Sequence, residues 1–134
     1  MGLDNSLSIY KKRVELNNDI IEKLKTKDIY LRGYDGDSFR GKAYNMITDT
    51  ICNESLFGIL YPSTLGDMSV KITNFLNLVT TLDFTDEIDV RDYIKDYNDS
   101  HDDDLYKITK KELISLRDLF QFCEENNLYL HPDF

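Results

Sequence analysis

The chain has 134 residues, of which 41% are hydrophobic and 31% charged, and its net charge is −9. Such a composition excludes a disordered or fibrous chain and predicts one domain over residues 1–134 that buries roughly two-thirds of its unfolded surface. No apolar run approaches the roughly 20 residues that span a bilayer, and no charged and apolar leader opens the chain, so a cytoplasmic protein with no membrane partner is expected.

Leu7 and Ile9 alternate with Ser6, Ser8 and Tyr10, which predicts a short half-buried strand. Asn18 or Asp19 then caps a helix carrying Ile20, Ile21 and Leu24. Ile29 and Leu31 alternate with Tyr30 and Arg32 and mark a second strand, running into a glycine-rich segment. Ser38 is read as the N-cap of a helix presenting Phe39, Ala43, Met46, Ile47 and Ile51, although Gly41 in its first turns costs about 1 kcal/mol.

Tyr61, Pro62, Ser63 and Gly66 punctuate a loop, after which Asp67 caps a helix with Met68, Ile72, Phe75, Leu76 and Val79 on one face. Thr85 starts another, with Val90, Tyr93, Ile94 and Tyr97 buried and Asp89, Asp92, Asp96 and Asp99 pointing elsewhere. The clearest helix begins at Thr109-Lys110-Lys111-Glu112, a capping box, and carries Leu113, Leu116, Phe120 and Cys123 on one stripe. Asn126-Asn127 ends it, and Leu128-Tyr129-Leu130 returns as a strand. The predicted fold class is α+β, a small, mainly antiparallel sheet packed by about four helices.

Charge is distributed unevenly. Residues 1–45 carry nine Lys/Arg against seven Asp/Glu, net +2, whereas residues 83–104 carry ten Asp/Glu against two Lys/Arg, net −8. The acidic block repels nucleic acid, so direct binding of DNA or RNA is not expected; it attracts basic surfaces. Cys52 and Cys123 are the only cysteines, too few for a disulfide framework and spaced unlike a metal knuckle, and both are expected as reduced core thiols.

Segment 32–42 gathers the chemistry of an anion cradle. Gly33, Gly36 and Gly41 free backbone amides, Ser38 offers a hydroxyl, and Arg32, Arg40 and Lys42 supply charge that suits phosphate. Tyr34 or Tyr44 could stack on a base. The spacing matches neither the Walker P-loop nor the dinucleotide fingerprint. The competing account is a turn with glycines at positive φ, whose cations pair with Asp35 and Asp37.

Asp96, Asn98 and Ser100 resemble the start of a calcium loop, but position six is His101 rather than Gly and position twelve is Lys107 rather than Glu. His101-Asp102 lacks further imidazoles beyond His131, so no metal site and no cofactor are expected. No nucleophile has a convincing histidine partner, and the chain is expected to bind rather than catalyse.

Met1-Gly2-Leu3-Asp4-Asn5, Ser38-Phe39-Arg40-Gly41-Lys42-Ala43-Tyr44 and Glu54-Ser55-Leu56-Phe57 resemble small uncharacterised proteins of bacteria and their phages. In broad character the chain is also similar to phage counter-defence proteins. That likeness implies one of two routes. The first sequesters a phosphorylated, nucleotide-like ligand through Arg32, Tyr34, Ser38, Arg40, Lys42 and Tyr44. The second is an acidic inhibitor of a basic host defence protein, a nucleic-acid mimic of the anti-CRISPR or anti-restriction type or a toxin-immunity protein, acting through Asp86, Asp89, Asp92, Asp96, Asp102, Asp103 and Asp104. A ligand shared between subunits would make a homo-oligomer attractive.

Overall fold

A computed structural model describes residues 4–8, 16–79, 87–94 and 104–133. Strand β1 (Asp4–Ser8) lies between β2 (Ser38–Phe39) and β5 (Tyr129–Asp133), antiparallel to both. Its register sets Asn5 opposite Phe39 and Pro132, and Leu7 opposite Leu130. Leu7, Phe39 and Leu130 join the core. The alternate serines are not solvated as a half-buried strand predicts: Ser6 and Ser8 are buried, and Ser6 Oγ donates to Asp133 Oδ2 at 2.5 Å. Leu60 extends the β5 edge through reciprocal 3.0 Å backbone bonds with Leu130.

Helix α1 (Asn18–Lys25) starts one residue earlier than either predicted cap allows, because Asn17 Oδ1 accepts from the Ile20 amide at 3.0 Å. Residues 28–31 form no strand. Their alternation survives, with Leu31 buried and Tyr30 exposed, but side chains satisfy the backbone in place of a ladder. The Tyr30 amide donates to Ser115 Oγ at 2.9 Å and the Arg32 amide to Tyr44 Oη at 2.8 Å.

Ser38 is not a helix cap. Gly33 and Gly36 take φ of 66° and 69°, a conformation that glycine adopts without a Cβ penalty, and they turn the chain so that Ser38 enters β2 opposite Ser6. A 3-10 turn, Gly41–Ala43, follows, and helix α2 (Asn45–Cys52) begins only there, with no side-chain cap.

Helix α3 (Pro62–Leu78) absorbs the predicted loop. Pro62 sits in its first turn, where its missing N–H costs nothing, and Gly66 lies inside the helix; Asp67 caps nothing. Leu65, Met68, Ile72, Phe75 and Leu76 face the core, and α3 packs most extensively on α4 (Lys110–Glu125).

The predicted helix from Thr85 is replaced over the described residues by β3 (Ile88–Asp89) and a 3-10 turn, Val90–Tyr93. Asp89 diverts the chain: its carboxylate accepts from the Arg91 amide at 3.0 Å and from Arg91 Nε and Nη2 at 2.9 and 2.6 Å. The guanidinium lies 4.1 Å from the Tyr106 ring centroid. Val90 is still buried, and Tyr93 and Ile94 still pack on the core. Tyr97, Asp96 and Asp99 lie outside the described residues.

Strand β4 (Lys107–Ile108) pairs with β3 and leads into α4 through the expected capping box on Thr109 and Glu112. Leu113, Leu116, Phe120 and Cys123 are buried as predicted, Asn126 caps the end, and β5 returns to the sheet. The fold is α+β: the described residues form four α-helices with a small antiparallel sheet, and no described helix is long and apolar enough to cross a membrane.

Candidate functional site

Of the six ligand-binding residues proposed in and just after segment 32–42, the structure joins two, Arg32 and Tyr44, in one clasp. Tyr44 is 1% exposed and cannot stack on a ligand. Instead its hydroxyl donates to Glu112 Oε2 at 2.5 Å and accepts from the Arg32 amide. Burial, then the bond to Glu112, push its phenol well above the ordinary range. Arg32 projects from this clasp: its Nη2 reaches Glu87 Oε1 at 3.0 Å and its Nε lies 3.8 Å from Glu112 Oε2.

The side chains of the other four take no part in the bonds of this clasp. Tyr34 is half-buried and its hydroxyl donates to the Gly36 carbonyl at 2.9 Å, so it braces the turn; burial, and secondarily Asp37, push its phenol up. Ser38 is half-buried in β2. Arg40 and Lys42 are exposed, Arg40 tied by its amide to the Arg32 carbonyl at 2.9 Å. Helix α2 begins beyond them, so its amino end does not form the predicted cradle.

The concavity lies on the other side of Arg32. A cavity of about 300 Å³ opens between residues 30–32, Glu87 and the Thr109–Glu112 cap. It adjoins a second of about 590 Å³, with which it shares Tyr30 and Thr109, and whose walls include Asp28, Lys111 and Ile114. Tyr30 stands between them, 57% exposed, with the Lys111 ammonium 4.5 Å from its ring centroid. Its amide, held by Ser115, fixes this wall to α4.

Glu112 forms the floor and is buried. Its Oε1 accepts from Thr109 Oγ1 at 2.9 Å and from the Thr109 amide at 3.3 Å, while Oε2 takes Tyr44. Both oxygens are therefore committed to holding three segments together. The sequence displays Glu112 only as a capping residue. Tyr30 carries the signal of standing on the polar side of an alternating run, whereas nothing local marks Glu87, 55 positions from its partner.

The thiols stay out of this chemistry. Cys52 and Cys123 are free and buried; burial pushes Cys52 up to about 12 and Cys123 higher. Among the described residues no three His, Cys, Asp or Glu side chains group as a metal site requires.

In the acidic block Asp89 does not point outward. Its carboxylate is spent on Arg91, whose side-chain hydrogen bonds hold it below the usual range against the opposing effect of burial. Asp92 is exposed and Asp104 opens a 3-10 turn; Asp86, Asp96, Asp102 and Asp103 lie outside the described residues.

No protein family, curated protein or solved structure matches this chain.

Proposed function

We propose that this is a non-enzymatic binding protein that sequesters a phosphorylated, nucleotide-like ligand in the groove between residues 28–32 and the amino end of α4. One observation carries it: the exposed Tyr30 borders two adjoining cavities, of about 590 and 300 Å³, with Lys111 on the wall of the larger and Arg32 on the wall of the smaller. Ligand sites run from about 300 to 1,000 Å³ and combine an apolar wall with a few polar groups. Here Tyr30 and Ile114 would take a planar base, while Arg32 and Lys111 would take phosphate. Capture rather than turnover is favoured because both oxygens of Glu112 are held and both thiols are buried. The counter-defence setting rests on the sequence resemblance alone.

Adenosine monophosphate in a thermal-melting titration tests this. Ligand at a hundredfold excess over its dissociation constant stabilises by about 2.7 kcal/mol, which raises the melting temperature by several degrees. Tyr30→Ala and Arg32→Ala should abolish the rise, and the nucleotide should be recovered intact on denaturation. A panel of mono-, di- and cyclic nucleotides that leaves the melting temperature unmoved would overturn the proposal.

A further inference from the structure

The groove is not a simple basic pocket. Its walls carry three cations, Arg32, Lys110 and Lys111, against three carboxylates, Asp28, Glu87 and Glu112. The carboxylates differ in how firmly they are held. Glu112 is fixed by Tyr44 and Thr109, whereas Glu87 meets Arg32 in a pair whose side chains are 41% and 57% exposed. An exposed pair of this kind holds its partners weakly, because water screens the charges and two long side chains must be ordered to form it.

Resting on the nucleotide reading above, we infer that Glu87 is the specificity-determining residue of the groove: a built-in counter-anion that occupies Arg32 until a ligand phosphate displaces it, and that then rejects a second phosphate. A phosphate offers the guanidinium a two-pronged contact, whereas Glu87 meets Arg32 end-on, Nη2 to Oε1 at 3.0 Å. The displaced carboxylate remains tethered at the rim, on the smaller cavity's wall. With Glu112 fixed on the floor, a diphosphate would set its added charge between two carboxylates. A single phosphate meets the fork and adds the smaller negative charge to walls whose own charges sum to zero. The ligand class is therefore a nucleoside monophosphate rather than a polyphosphate.

Isothermal titration at low ionic strength with adenosine, adenosine monophosphate and adenosine diphosphate separates the possibilities. Glu87→Gln should raise monophosphate affinity about two- to fivefold, the factor an exposed pair is worth, raise diphosphate affinity by more, and leave adenosine unchanged. Arg32→Lys added to Glu87→Gln should cancel the gain, because an ammonium cannot supply the planar fork. An unchanged or weaker monophosphate affinity in Glu87→Gln, or a parallel rise for adenosine, overturns the role of Glu87. If wild type binds the monophosphate in a Tyr30-dependent way and Glu87→Gln changes nothing, only this inference falls. If neither protein binds any of the three probes, the nucleotide site itself falls and takes the inference with it.

Discussion

Tyr44 and Glu112 meet where solvent does not reach, and the hydroxyl between them does two jobs. It gives Glu112 Oε2 a donor and the Arg32 amide an acceptor. Deleting it leaves both without that partner, and an unsatisfied buried group costs about 1–3 kcal/mol. Tyr44→Phe should therefore lower the urea midpoint by a corresponding amount at unchanged slope; an unmoved midpoint would show that the hydroxyl is dispensable. Gly66 behaves differently. A Cβ there would fall 1.6 Å from Glu124 Oε2, but that carboxylate is the free end of an exposed, flexible side chain and can swing aside. Gly66→Ala should leave stability unchanged or raise it by up to about 1 kcal/mol, the helix preference for alanine, and a loss in the same urea assay would mean that Glu124 cannot move. Residue type alone misleads at this scale: a tyrosine two positions beyond a lysine looks like a stacking group, and only burial shows it to be a clasp.

At the scale of elements, legibility follows the range of the forces. Helix α4 is readable because its start is written in four consecutive residues that bond one another, and its buried stripe repeats at helical spacing. The 28–31 segment is not, since its amide partners, Ser115 and Tyr44, lie on other elements and only their arrival decides between strand and coil. The same holds for residues 88–93, where Asp89 folds back onto Arg91 and stops a helix that apolar spacing alone would build. The candidate site inherits this division: Arg32 is visible in the sequence, whereas the wall around it is assembled from residues far apart in the chain. Ser115→Ala should cost about 1 kcal/mol by removing the acceptor of the Tyr30 amide. Amide exchange at Tyr30 should quicken while α4 stays protected; unchanged exchange would mean that Ser115 does not hold the groove wall.

For the molecule as a whole, the two buried thiols predict how the fold responds to alkali. Burial disfavours the thiolate, so Cys52, pushed up to about 12, and Cys123, pushed higher, stay protonated in the folded chain while an unfolded thiol ionises near about 8.5. Each folded pKa is raised, so each contribution is fully present below the unfolded value and is lost as pH rises toward the folded one. One pH unit above the unfolded value, each thiol should have surrendered about 1.4 kcal/mol of unfolding free energy. Asp89 has the opposite sign. Its carboxyl is held low by Arg91, so its contribution is present above the ordinary carboxylate range and fades as pH falls through the lowered value. Urea titrations between pH 8 and 10 should therefore show stability falling in wild type, and falling less steeply in Cys52→Ala and Cys123→Ala. Parallel slopes in all three would mean that the thiols reach solvent while the chain is folded, and labelling by a thiol reagent at pH 8 would then be fast. With the core closed over both cysteines, labelling should instead proceed no faster than global unfolding.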